Sequence, residues 1–181
     1  MRSFVAIDID ESFKEAALAV IDELRRRQHG DKVRWVESDK LHLTLKFLGN
    51  NDADQVVALA NQLPAILAKV KAFTMTVGKV VSFPSVRPHV IAILFSVSTE
   101  YVDLFNLVEQ QAVTNGFAPE RRSLLIHLTL GRVKTKAIPT LADIPIQLPQ
   151  TLLVNQLSLY RSELNSEGSI YTRLTQVSLR N

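Results

Sequence analysis

Four residues, His42, Thr44, His127 and Thr129, have the types and spacing to do chemistry in this chain. They come as two copies of one tetrapeptide, HLTL, at residues 42–45 and again at 127–130, 85 residues apart. An unperturbed imidazole has a pKa near 6.5, so of two rings sharing a site one can be neutral and the other protonated at neutral pH. That is the pairing general acid–base catalysis needs. A threonine hydroxyl is short and stiff at χ1 and donates a fixed hydrogen bond to an anion lying between the rings. Two proton-transfer groups flanking an oxyanion describe in-line displacement at a phosphodiester, for which no metal is required.

The elements that position these groups read as β-strands. Leu41, Leu43, Leu45 and Phe47 alternate with His42, Thr44 and Lys46, so the first set is expected in a core and the second on the opposite face. The same parity joins His127 to Thr129, with Ile126, Leu128 and Leu130 behind them. Lys46, on the parity of His42, is read as an exposed strand lysine rather than a phosphate ligand. Arg132 falls on the opposite parity and reaches the site only if the strand ends or twists after Gly131.

Around them the pattern predicts a strand over 3–8 and a helix opened by a capping box of Ser12 and Glu15. That helix runs to about His29 with Gly30 as its stop, burying Ala17, Val20, Ile21 and Leu24 and fanning Arg25, Arg26 and Arg27 into solvent. A strand at 33–36 carries Trp35, assigned to the core. A helix from near Asp52 is expected to kink or break at Pro64. Strands over 73–80 and 90–97 flank a proline-bounded loop holding Arg87, and a helix over 99–115 is stopped by Gly116. A connector over 136–150 leads to a terminal hairpin of strands at 151–161 and 169–179. A shift of 85 residues lays Val5 on Val90 and His42 on His127, which reads as an internal repeat, roughly 3–49 and 88–133, within a single bilobal domain over 1–181. The fold class expected is α+β: two pseudo-symmetric lobes, each an antiparallel sheet with helices on its outer face, and an active-site cleft between them.

The 181 residues are 46% hydrophobic, enough for a substantial core. No apolar run approaches the roughly 20 residues of a membrane span, and the absence of cysteine excludes disulfides and thiolate metal sites. The expectation is a cytoplasmic monomer with no cofactor, no membrane association and no obligate protein partner. A net charge of +3 is compatible with an anionic partner.

The stretch VRWVESDKLHLTLKFLG together with HLTLGRV closely resembles the 2H phosphoesterases, specifically the bacterial RNA 2′,3′-cyclic phosphodiesterases also called 2′-5′ RNA ligases. The likeness extends from FVAID at residues 4–8, through FPSVRPHVIAIL, to LYRSEL and GSIYTRL. It implies a metal-free enzyme that opens a 2′,3′-cyclic phosphate at an RNA end to a 2′-phosphate and a 3′-hydroxyl, with reverse condensation to a 2′-5′ linkage in some members. His42 would then be the proton donor and His127 the proton acceptor, with Thr44, Thr129 and Arg132 binding the phosphate. The chain departs from the family pattern at Ile126, where relatives often have proline, and at Gly131, where they have alanine or an aliphatic residue.

Three alternatives use the same residues. One is a 2H phosphodiesterase acting on small cyclic nucleotides, ADP-ribose cyclic phosphate or 2′-5′ oligoadenylate. Another is a module that grips RNA phosphates without turnover, against which stand two histidines where arginine would bind better. A two-histidine metal site lacks a carboxylate or third imidazole near either motif. Outside the motifs, His29 and His89 are read as surface or capping residues. Arg87, Tyr160 and Phe4 are candidates to touch ribose or base, and Arg121 and Arg122 to steer RNA.

Overall fold

The strands that carry the repeated tetrapeptide form the seam of the sheet. In the computed structural model, which describes residues 1–27, 32–84, 86–134, 141, 147–166 and 168–181, they are β3 (His42–Asn50) and β6 (His127–Val133). The two meet antiparallel at one pair, Leu43 opposite Leu128, which hold the same place in the two copies. Outward from β3 lie β1 (Arg2–Asp8), β8 (Gln156–Asn165) and β9 (Gly168–Ser178). Outward from β6 lie β5 (Val90–Phe95), β4 (Phe73–Phe83) and β7 (Thr151–Val154). The pairings between these strands are all antiparallel, and two pseudo-symmetric lobes of four strands share one sheet. β2 (Val33–Trp35) pairs with residues 131–133 of β6, beyond the point where β6 touches β3.

Three α-helices occur among the described residues: α1 (Glu11–Arg27), α2 (Ala53–Leu67) and α3 (Thr99–Thr114). α1 packs against β6 and α3 against β3, so each lobe's helix covers the motif strand of the other, while α2 rests on α3 and β9. The buried stripe of α1 is Phe13, Ala17, Val20, Ile21 and Leu24, the spacing its periodicity dictates. Val5, Ile7, Leu43, Leu45, Leu128 and Leu130 join it in one hydrophobic core.

Several local expectations change. Asp10, rather than Ser12, caps α1: its Oδ1 accepts the Phe13 N–H at 2.8 Å, and Ser12 sits inside the first turn. α2 does not break at Pro64 but continues to Leu67, because Leu63 and Leu67 prolong the buried stripe of Val56 and Leu59 past it. The strand expected over 151–161 divides at Asn155 into β7 and β8, which lie toward opposite edges of the sheet. Burial explains the break: Leu152 and Val154 are buried on even positions, Leu157 and Leu159 on odd ones. The expected helix end at His29 and Gly30, and most of the connector, lie outside the described residues.

A β-bulge in each motif strand alters the face its residues occupy. Val5 lies opposite Lys46 while Ala6 lies opposite Thr44, which leaves Leu45 as the extra residue of β3. Ile91 lies opposite Gly131 while Ala92 lies opposite Thr129, leaving Leu130 extra in β6. Parity flips after each bulge. Lys46 and Gly131 turn inward, and Phe47 and Arg132 turn outward.

Candidate active site

The two imidazoles are oriented alike. Nδ1 of His42 lies 2.8 Å from the Lys40 carbonyl oxygen and Nδ1 of His127 lies 2.8 Å from that of Leu125, each carbonyl two residues back along the chain, just before the strand begins. A carbonyl only accepts, so each Nδ1 donates, which leaves Nε2 of each ring as the atom free to exchange a proton. Nε2 of His42 lies 3.2 Å from Oγ1 of Thr44. Burial, the largest influence, holds His42 below its ordinary pKa, and the fields of Arg132 and His127 act in the same direction. The Lys40 hydrogen bond and the charge of Asp8 oppose it.

Aromatic rings fix these orientations. Phe4, buried beneath, stacks on His42 at 4.8 Å between centroids, and Tyr171 meets it edge-on at 5.5 Å. Phe83 meets His127 edge-on at 5.2 Å. Asp8, paired across the strands with His42, accepts hydrogen bonds from Ser158 (2.6 Å), Tyr160 (2.9 Å) and Gln176 (3.0 Å). The Tyr160 hydroxyl in turn accepts from Arg173. Tyr160 thus anchors the network behind His42 and stacks on Phe4 at 5.4 Å.

His42, Thr44, His127, Thr129 and Arg132 all line a single cleft of about 760 Å³, within the range of sites that take a nucleotide-sized ligand. Arg132 reaches it because the Leu130 bulge resets the strand's parity. Lys46 does not: it is buried, with its ammonium 2.6 Å from Glu109 of α3 and donating to the Ala118 carbonyl at 3.1 Å. Phe47, expected in the core, is 49% exposed and lines the cleft. The Arg122 guanidinium sits 5.5 Å from the centre of its ring. Arg122 is held by Glu120, whose carboxyl its hydrogen bonds pull down to about 2. Trp35, assigned to the core, is half-buried and forms part of the cleft wall. Arg121, Arg87 and His89 are exposed and outside it, and His29 lies beyond the described residues.

Sequence reasoning missed Arg34, Tyr171, Phe47 and the Asp8 network. A signal existed only for Asp8, since pairing the first strand antiparallel to the motif strand sets its end against His42. Among the described residues no group of three or more His, Asp or Glu side chains gathers that could hold a metal ion. None of the described helices is long and apolar enough to cross a membrane.

The chain matches the family model described as LigT like Phosphoesterase over residues 7–92. A protein of Methanothermobacter thermautotrophicus named RNA 2′,3′-cyclic phosphodiesterase is 31% identical over 95% of each chain. A structure from Thermus thermophilus superposes with a TM-score of 0.81 at 25% identity, covering 100% of this chain and 99% of the other. E. coli LigT in complex with 3′-AMP does so with a TM-score of 0.73 at 26% identity, covering 99% and 98%.

Proposed function

This chain belongs to the LigT-like 2H phosphoesterase family, and from that premise we propose that it hydrolyses RNA 2′,3′-cyclic phosphate ends to a 2′-phosphate and a 3′-hydroxyl, by metal-independent acid–base catalysis. The observation that carries the reading is the pair of imidazoles in one cleft, each with Nδ1 tied to a backbone carbonyl and Nε2 left to work.

In the reaction His127 accepts a proton from water as its oxygen attacks phosphorus. The bond from phosphorus to the 3′ oxygen breaks, and His42 protonates that oxygen as it leaves. The rings exchange protonation states, and the same sequence with a 5′-hydroxyl attacking in place of water makes a 2′-5′ linkage. Thr44 and Thr129 donate to the nonbridging oxygens, and Arg132 balances the charge that develops there. Burial, the chief influence, disfavours the charged form of His42, and an anionic diester lying against the ring favours it, so substrate binding helps to arm the acid. Each half supplies one histidine and one threonine, so residues 1–181 act as one bilobal unit.

The test is product analysis with an oligonucleotide ending in a 2′,3′-cyclic phosphate. The wild-type chain yields a 2′-phosphate with or without chelator, and His42→Ala and His127→Ala each lose roughly 10²–10⁴-fold in rate while staying folded. A 3′-phosphate product would make the 2′ oxygen, not the 3′ oxygen, the leaving group and overturn the assignment. Near-normal turnover by either variant would remove that histidine from the chemistry.

A further inference from the structure

The β2–β6 ladder sets Arg34 directly opposite Arg132. Like charges placed opposite one another across strands are destabilising. Among the described residues no carboxylate forms an ion pair with either guanidinium, although every cation of α1, together with Lys40 and Arg122 at the cleft, is neutralised in that way. Both arginines line the cleft. Arg34 is exposed and reaches toward the β8–β9 hairpin, its Nη1 lying 3.9 Å from where a Cβ on Gly168 would stand. It therefore lies between the β6 side of the cleft and the hairpin of the other lobe.

The pairing depends on a residue peculiar to the second motif. A Cβ on Gly131 would come within 2.6 Å of Val33 Cγ1 and 2.9 Å of Trp35 Cε3, so glycine here lets these side chains of β2 lie against β6 without shifting. The cleft is also divided by chemistry. Phe4, Phe47 and Tyr171 line the side of β3, where a base can stack, while Arg34 and Arg132 line the side of β6.

We propose that Arg34, set beside Arg132, forms a second anion subsite that takes the phosphodiester immediately upstream of the terminal cyclic phosphate. The site then reads an RNA end at least two nucleotides long and selects against mononucleotides. The inference rests on the function proposed above and deepens it. Cross-strand neighbours stand about 5 Å apart at their Cβ atoms, and arginine is long and multidentate, so two such side chains can serve adjacent phosphates. Arg132 would meet the reacting phosphate and Arg34 the outer one.

The experiment compares kcat/KM at low and moderate salt for a nucleoside 2′,3′-cyclic phosphate and for a dinucleotide with the same cyclic end. Wild type is expected to favour the dinucleotide by roughly tenfold, the equivalent of one good charged contact. Arg34→Gln should lower that ratio toward unity, and the fall of log kcat/KM with log salt for the dinucleotide should lessen by about 0.7. Arg34→Lys, which keeps the charge, should restore part of the preference. Equal kcat/KM for both substrates in the wild type, or an equal loss on both in Arg34→Gln, overturns the subsite and leaves the proposed reaction standing. Failure to hydrolyse either substrate overturns the reaction, and the subsite with it.

Discussion

In the proposed reaction His42 holds a demanding electrostatic position, because it must be buried enough to be fixed and yet charged at the moment it donates. Its pKa in the folded chain lies below 6.5, desolvation being the chief cause. The sign of the consequence is set by proton binding: as pH falls through 6.5 the unfolded chain takes up a proton at this position before the folded chain does. The contribution of His42 to stability is therefore lost as pH falls from the unfolded value toward the folded one. Replacing it with a group that does not titrate, His42→Asn, should flatten that part of the profile, which denaturant melts of the two proteins between pH 7.5 and about 5 would measure. If the two profiles run parallel, the ring is not desolvated in solution. Thr129 makes the complementary test of anion binding. Thr129→Val keeps the shape of the side chain and removes its donor, and should lower kcat on the order of 10²-fold with little change in melting temperature.

At the level of the strands, the two bulges decide which side chains do what. Without them the alternation LHLTLKF sends Phe47 to the core and Lys46 to the site, as sequence parity says. With Leu45 as an extra residue the assignments exchange: Lys46 enters the core to meet Glu109, and Phe47 enters the cleft. Nothing in the residue types announces this, since the bulged residue is an ordinary leucine that stays buried on the side where parity already put it. β6 behaves alike: Leu130 and Gly131 are buried in succession at its bulge, and glycine, having no side chain, does not declare its face in the sequence. The histidines and threonines were legible because they precede the bulges, and α1 because its stripe has a strict helical period. Arg34 and Tyr171 were not, because they come from β2 and β9, whose placement is set by long-range pairing. The ion pair of buried Lys46 with half-buried Glu109 gives a direct check. Lys46→Ala leaves Glu109 without its cation and should cost about 3 kcal/mol in a urea melt, whereas an exposed strand lysine would cost no more than about 0.5 kcal/mol. Gly131→Ala, by forcing β2 away from β6, should cost about 1–3 kcal/mol.

Over the whole molecule the lobes are related in strand order but are not independent in their packing. The motif strand of each lobe is covered by the helix of the other, α1 on β6 and α3 on β3. β1, the first strand of the chain, is hydrogen-bonded on one edge to β8, more than 150 positions away. β7 and β8 are separated only by Asn155, yet they lie toward opposite edges of the sheet, so the chain crosses from one lobe to the other there. A fragment of residues 1–84 keeps α1, α2, β1 and β3 but loses β6, β8, β9 and α3. That strips the apolar faces of α1 and α2, and of β3 on its core side, of what they pack against. Exposed together, those faces cannot offset the ordering of the backbone. The fragment alone should therefore show no cooperative thermal transition by circular dichroism, while the intact chain melts in a single step. A sharp transition in the fragment would mean that the N-terminal half carries its own core, and would leave each histidine to a lobe able to fold without its counterpart.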